Sequence, residues 1–295
     1  MGKKSDKQQD KHCLIFYHIE KTAGTTFNDI LARQYGRKNR YHLHPPERRK
    51  EIAAFKDMSE EERAQYTCLT GHMSHLLADH VPLPVKYVTF LREPMKQVMS
   101  SYNYTKYNAG TKAHDRIKDL KSVDEYLDWQ LGDRRDNIQT RYLANVTRFM
   151  EEHTGQVDFA KDGEELYKKA LEKLKSMEHV YITEKFDEAL VMMKKDLNWA
   201  KRLYYHQKNT SQHFEKPTKA QEDRIRKVHH YDFELYKHAQ EIHEQAAKKY
   251  KNLERDVQHF RNMNKLAGKI AGRFAAEDWL RTIVHHGRER GFLPG

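Results

Sequence analysis

The chain has 295 residues, with 54 lysines and arginines against 43 acids, a formal net charge of +11. That length buries a full core, as one large domain or a domain with an appendage, and the basic balance suits a polyanionic ligand such as a nucleotide, an acidic glycan or nucleic acid. The two cysteines, Cys13 and Cys68, lie in or beside apolar runs; they read as buried free thiols, from which neither a disulfide framework nor a four-ligand zinc site is built.

Residues 1–12, "MGKKSDKQQDKH", are polar and read as a disordered lead-in. They lack the apolar stretch of a secretory signal. Asp6 stands where the myristoylation pattern wants Ser or Thr. No run of about 18 apolar residues occurs, so no membrane span is expected, and the expectation is a cytoplasmic protein. The sequons at Asn103, Asn145 and Asn209 carry little weight without an export signal.

"CLIFYHI" (13–19) reads as a buried strand, short and continuously apolar. "TTFNDILARQYG" (25–36) reads as a helix with Phe27, Ile30 and Leu31 on one face and Gly36 as its stop. "RKNRYHLHPPERRK" (37–50) is a basic loop broken by two prolines, and Ser59 with Glu62 makes a capping box. "YTCLTGH" (66–72) and "VKYVTFLRE" (85–93) are further strands; Pro94 ends the second and a helix follows at once. "HVYITEKFDEALVMMKKDLNW" (179–199) adds another strand and helix. Repeated strand–helix units predict an α/β fold, a P-loop-like parallel β-sheet flanked by helices. From about Lys216, Ile225, Val228, Leu235, Ala239, Ile242 and Ala246 recur as one face of a long amphipathic helix packed back on the sheet, and 262–295 read as a helical tail. The expected organisation is a core over 13–215 and a helical C-terminal extension over 216–295.

Two strand–turn–helix junctions carry chemistry. In "HIEKTAGTT", Lys21 sits just past a strand and Gly24 just before a helix. Backbone N–H groups of such a turn and the helix dipole favour an anion. Lys21 adds a full charge, Thr25 and Thr26 add hydroxyls, and Gly24 permits close approach. The Walker spacing is absent. In "TFLREPMKQVMSSYNY", Arg92 ends a strand, and Ser100 and Ser101 lie two turns into the next helix, which places Ser100 near Arg92. An arginine with a hydroxyl is a fork for a second phosphate. Two such cradles at neighbouring strand ends suit a nucleotide with phosphates at both ends of its ribose.

These two segments resemble the 5′-phosphosulfate and 3′-phosphate motifs of carbohydrate sulfotransferases that use 3′-phosphoadenosine 5′-phosphosulfate (PAPS), of the heparan 2-O- and 6-O- and chondroitin type. Those begin H-I-x-K-T-[AG]-[GS]-T-[ST]-F, matched by "HIEKTAGTTF", and later carry L-R-[ED]-P-x-x-[RQ]-x-x-S-x-[YF], matched by "LREPMKQVMSSYNY". "DNIQTRYLAN" (136–145), "YITEKFDEALVMMKKDLNW" (181–199) and "DFELYKHA" (232–239) continue the resemblance, which covers roughly 13–245. It implies PAPS as sulfuryl donor, held by Lys21, Thr22, Ala23, Gly24, Thr25, Thr26, Arg92 and Ser100. Lys208, in a stretch similar to a late family loop over the donor, joins that set, with a solvated lysine as the equal alternative. Glu20 departs from the proline or glutamine that many members carry.

Sulfuryl transfer needs an acceptor hydroxyl deprotonated as it attacks and charge on the leaving phosphate. Lys21 suits the second role. For the first, His72 stands at a strand end, similar in position to the histidine base of the 2-O- and 6-O-sulfotransferases, and an imidazole of pKa about 6.5 suits it; Glu20 is the other possible base. Glu20, His75, Asn137 and Arg141 are the expected acceptor contacts, although Asp136 and its neighbours read equally well as a helix start. No metal is expected: His72 and His75 lack further ligands. The pairs His229–His230 and His285–His286 read as solvated helix faces. The expected partner is a carbohydrate or other hydroxyl-bearing acceptor, with no nucleic acid. Two other readings remain: a phosphotransferase using ATP and magnesium, which predicts a metal-binding Asp where "LRE" stands, and a non-catalytic polyanion- or RNA-binding protein resting on charge alone.

Overall fold

The structure is a computed structural model that describes residues 11–110, 113–147, 157–205 and 215–267. Five strands, β1 (Cys13–Tyr17), β2 (Arg40–His42), β3 (Cys68–Thr70), β4 (Val85–Leu91) and β5 (His179–Ile182), pair in parallel in the order β2-β3-β1-β4-β5. The helices between them are α1 (Gly24–Asn39), α2 (Arg48–Asp57), α3 (Glu60–Arg63), α4 (Pro94–Tyr107), α5 (His114–Ile117), α6 (Val123–Gly132), α7 (Ile138–Leu143) and α8 (Phe159–Lys175). After β5 come α9 (Phe186–Asp196), α10 (Lys219–Val228), α11 (His230–Ala247) and a last helix over 253–267, α12. Among the described residues no helix is long and apolar enough to cross a membrane.

The apolar run of β1 is continuous because both of its faces are covered. Leu14 and Phe16 pack with Phe27 of α1, Met192 and Met193 of α9, and Leu253 and Phe260 of α12. Cys13 and Ile15 point the other way, against Phe55 of α2 and Leu77. Tyr17 joins a third cluster with Ile138 of α7, Leu174 of α8 and Leu235 and Ala239 of α11. Both cysteines are buried free thiols. The C-terminal helices therefore return to the sheet.

Three expectations are corrected. The stretch 37–50 is not wholly loop: it carries β2 and opens α2. An edge strand of three polar residues, paired only with β3, has no apolar signature to read. The expected stop at Gly36 is met: its backbone, at φ 72° and ψ 173°, is not helical and interrupts α1, and a further short turn runs on to Asn39. The single long C-terminal helix is two, α10 and α11, divided at His229. That histidine is fully buried, not solvated: its Nδ1 accepts the Asn137 N–H at 3.1 Å and its Nε2 lies 3.3 Å from Gln130 Oε1. His285 and His286, like most of the lead-in, lie outside the described residues.

Candidate active site

The Lys21 turn is a backbone held under strain. Lys21 and Ala23 adopt left-handed φ values of 62° and 66° although neither is glycine, a conformation costing about 1 kcal/mol or more each. The surroundings hold it. Thr22 Oγ1 donates to the Ile19 carbonyl at 2.9 Å, Arg92 Nη1 to the Lys21 carbonyl at 3.1 Å, and Gln97 Nε2 to the Glu20 carbonyl at 3.3 Å. α1 then starts with no side-chain cap and no acid in its first turn, so its N-terminal N–H groups and the positive end of its dipole are left to an anion.

The Lys21 ammonium rests 3.4 Å from the centre of the Tyr104 ring. Burial, and secondly the Arg92 charge, bring its pKa down to about 8 against the opposing pull of Glu20. Arg92 is fixed at its own backbone by Gln139 of α7, whose amide accepts from the Arg92 N–H and donates to the Arg92 carbonyl, each at 2.9 Å. One turn-rich wall, α4, presents Ser100, Ser101 and Tyr104 to the same space, and Ser101 Oγ accepts the Tyr126 hydroxyl at 3.0 Å. Together these groups line a cavity of about 670 Å³ at the carboxyl edge of the sheet, where ligands of open α/β sheets bind and within the usual size of ligand pockets, roughly 300–1,000 Å³.

His72 lines that cavity. Its Nδ1 lies 3.2 Å from the His18 carbonyl, and its ring stacks on the His18 ring at 3.8 Å and 14°. A carbonyl only accepts, so in the neutral ring Nδ1 carries the proton and Nε2 is the basic nitrogen. Burial holds the His72 pKa below the ordinary value, with Glu20 pulling it back up. Glu20 receives the Tyr142 hydroxyl at 3.2 Å and faces Arg135 at 3.5 Å. Burial alone raises its pKa, but Arg135, His72 and the Tyr142 hydroxyl outweigh that and the carboxyl is held below its usual range.

Of the residues picked from the sequence, Glu20, Lys21, Ala23, Gly24, Thr25, Thr26, His72, Arg92 and Ser100 all line this one cavity. Thr22 does not; it is buried and ties the turn to itself. His75 does not line the cavity either: it is buried with its ring on Tyr17, 4.0 Å between centres, and burial pulls its pKa down to about 3. Asn137 is a structural clamp, its Oδ1 accepting from the N–H groups of Tyr231 and Asp232 and its Nδ2 donating to the Val228 carbonyl. Arg141 is 2% exposed and bonded to Asp136 at 2.6 Å. Lys208 lies outside the described residues.

His18, Tyr104, Arg116, Trp129, Arg135 and Tyr142 line the cavity without having been read as site residues. The string "DRRDN" held the only hint, a pair of arginines beside the motif at 136–145. Arg116 and Arg135 both engage Asp133, at 2.9 and 3.7 Å, which keeps this arginine-rich wall partly neutral. Among the described residues no three His, Cys, Asp or Glu side chains gather as metal ligands.

No curated protein matches the chain. A family model does, described as galactose-3-O-sulfotransferase and covering residues 3–275. With nearly the whole chain matched, and with the parallel sheet beneath the cavity, the chain belongs to the galactose-3-O-sulfotransferase family of carbohydrate sulfotransferases.

Proposed function

We propose that the cavity takes PAPS as sulfuryl donor and that the chain moves the sulfuryl group to a hydroxyl of a carbohydrate, the family's name pointing to a galactose. The observation that carries this reading is the single cavity shared by the Lys21 turn, the Arg92–Ser100 pair and His72. The residues fit that donor: the uncapped start of α1 with Lys21 suits its 5′-phosphosulfate, and Arg92 with Ser100 suits its 3′-phosphate.

When bound, the donor supplies a sulfuryl group whose bond to phosphate breaks, with the electron pair leaving on the phosphate, as the acceptor oxygen attacks sulfur. Lys21 neutralises the charge that grows on that phosphate. His72 takes the acceptor's hydroxyl proton at Nε2, the nitrogen its bond to His18 leaves bare. Glu20 is the weaker candidate for that proton, because its lowered pKa makes the carboxylate a poor proton acceptor and its oxygens already face Tyr142 and Arg135; its charge instead supports the imidazolium of His72.

The test is release of 3′,5′-bisphosphoadenosine from PAPS with a panel of galactose-terminated acceptors. His72→Ala is expected to lower kcat by about 100-fold or more, as loss of a general base does, while affinity for the bisphosphate stays within about threefold of wild type. Full turnover in that variant removes His72 from the role. Stronger thermal stabilisation by ATP–Mg²⁺ than by the bisphosphate replaces the reading with a phosphotransferase.

A further inference from the structure

His18 opens the first family motif, but neither phosphate cradle uses its side chain, and the site is built around its ring. Phe16, His18 and His72 form one column of near-parallel rings, 4.8 Å and 15° between the first two and 3.8 Å and 14° between the last two. His18 is 8% exposed. Two glycines make room for the column. A Cβ on Gly24 would fall 1.7 Å from His18 Nε2, so the ring occupies the volume of any side chain at 24. Gly71 has φ +99°, and a Cβ there would meet the Leu43 carbonyl at 2.4 Å; only glycine makes the turn that throws His72 from β3 over the end of β1.

We propose that His18 is a positioning residue for the base: its ring sets the plane of the His72 imidazole and so holds Nδ1 against the residue-18 carbonyl, which keeps Nδ1 the protonated nitrogen and presents Nε2 to the acceptor hydroxyl. This rests on the reading of His72 as base. A second role for Gly24 follows. Besides letting the backbone approach a phosphate, its missing side chain gives His18 its seat, which couples the donor turn to the base. The electrostatics agree with the geometry. Burial first, then the neighbouring His72, His42 and Arg48, hold the His18 pKa well below the ordinary value. His18 thus stays neutral while its partner charges, and a neutral π-face against an imidazolium attracts where a second cation would repel. His18 Nδ1 is buried and makes no hydrogen bond among the described residues, so the ring serves through its face.

The experiment compares His18→Phe, which keeps a flat ring, with His18→Ala and with Gly24→Ala, using two readouts. The first is kinetic. His18→Phe is expected to keep kcat within about threefold, and His18→Ala to lose about 10- to 100-fold, the scale of a misplaced catalytic group, with acceptor KM and bisphosphate affinity changed less than about threefold. Gly24→Ala is expected to lose kcat as His18→Ala does and to weaken the bisphosphate as well. The second readout is the ¹⁵N spectrum of His72, assigned against His72→Gln, which reports the tautomer without turnover: Nδ1–H in wild type and His18→Phe, a tautomer mixture in His18→Ala. Equal losses in His18→Phe and His18→Ala, or an unchanged His72 tautomer in His18→Ala, overturn the proposal. Absence of sulfuryl transfer in the wild-type protein would sink the function reading alone, and the tautomer would still decide whether His18 positions His72. Should His18→Ala not fold, Gly24→Ala takes its place beside His18→Phe: a tautomer mixture in Gly24→Ala alone supports the proposal, and an unchanged tautomer there overturns it.

Discussion

Lys21 is a lysine whose charge is in play near neutral pH, and donor affinity should report it. Its ammonium is buried beside Arg92, which brings the pKa to about 8. Only the protonated side chain draws a phosphate, and the bound anion then holds the proton. The sign follows: affinity is full below pH 8 and falls as pH rises through it. The apparent Kd scales as one plus the ratio of neutral to charged lysine, so it rises about twofold by pH 8 and about tenfold between pH 7 and pH 9. The ligand's phosphates add nothing in that window, being ionised above about pH 7. Tyr126 and Tyr142, the cavity tyrosines raised by burial, stay neutral throughout it. Calorimetric titration of 3′,5′-bisphosphoadenosine at pH 7, 8 and 9 measures the curve, and heats in buffers of different ionisation enthalpy should show about half a proton taken up per ligand at pH 8. Lys21→Met should bind weakly with no slope over the same range. A flat wild-type curve, or an equal slope in Lys21→Met, refutes the assignment of Lys21 as the cationic holder of a phosphate.

Asp232 is buried and accepts the N–H groups of Gln139 and Thr140 and the Thr140 hydroxyl at 3.1, 2.7 and 2.7 Å. Asp232→Ala should cost about 2–4 kcal/mol through orphaned N–H groups at the start of α7, a fall in Tm of about 3–6 °C at pH 7. Burial raises the Asp232 pKa from 3.8 to about 6, against those three bonds. A raised folded-state pKa favours the fold at low pH, so the wild-type advantage over the variant should widen by roughly 1 kcal/mol from pH 7 to pH 5; a constant difference in urea unfolding at the two values refutes it. For the thiols, burial pushes Cys13 up to about 12, against a bond from Leu69, and Cys68 well above its ordinary value. Both should label with a thiol reagent only at the unfolding rate, and rapid labelling of the folded protein contradicts their placement in the sheet.

What could be read in the sequence divides along physical lines. Cys13–Tyr17 and Val85–Leu91 announce themselves because a strand covered on both faces is continuously apolar. Arg40–His42 does not, since an edge strand of partly exposed polar residues carries no such run. Lys21, Gly24, Arg92 and Ser100 are legible as a cavity wall because each sits at a fixed step from a strand end. Asn137 and Arg141 stand in an equally distinctive string, yet they face inward. Asn137 caps α11 while Asp232 caps α7, a reciprocal clamp between segments about ninety residues apart. A distinctive string shows that its residues are constrained, not whether a ligand or another helix constrains them. The same holds for His75: three residues from His72, it lies in the layer beneath, stacked on Tyr17.

The site itself depends on the order in which strands lie, which no local pattern contains. The turns carrying Lys21, His72 and Arg92 follow β1, β3 and β4, and these are neighbours in the order β3-β1-β4. The chain reaches that order by carrying β4 across β1 to its far side after β3 has been laid on the near side. With strands about 4.8 Å apart, the three ends span about 10 Å, so His72, Lys21 and Arg92 open on one cavity. Were β4 to pair with β3 instead, every motif would survive in the sequence, but His72 would stand between Lys21 and Arg92. The reversal of strand order at β1 is thus what brings three separate strand–helix junctions onto one cavity at the carboxyl edge of the sheet.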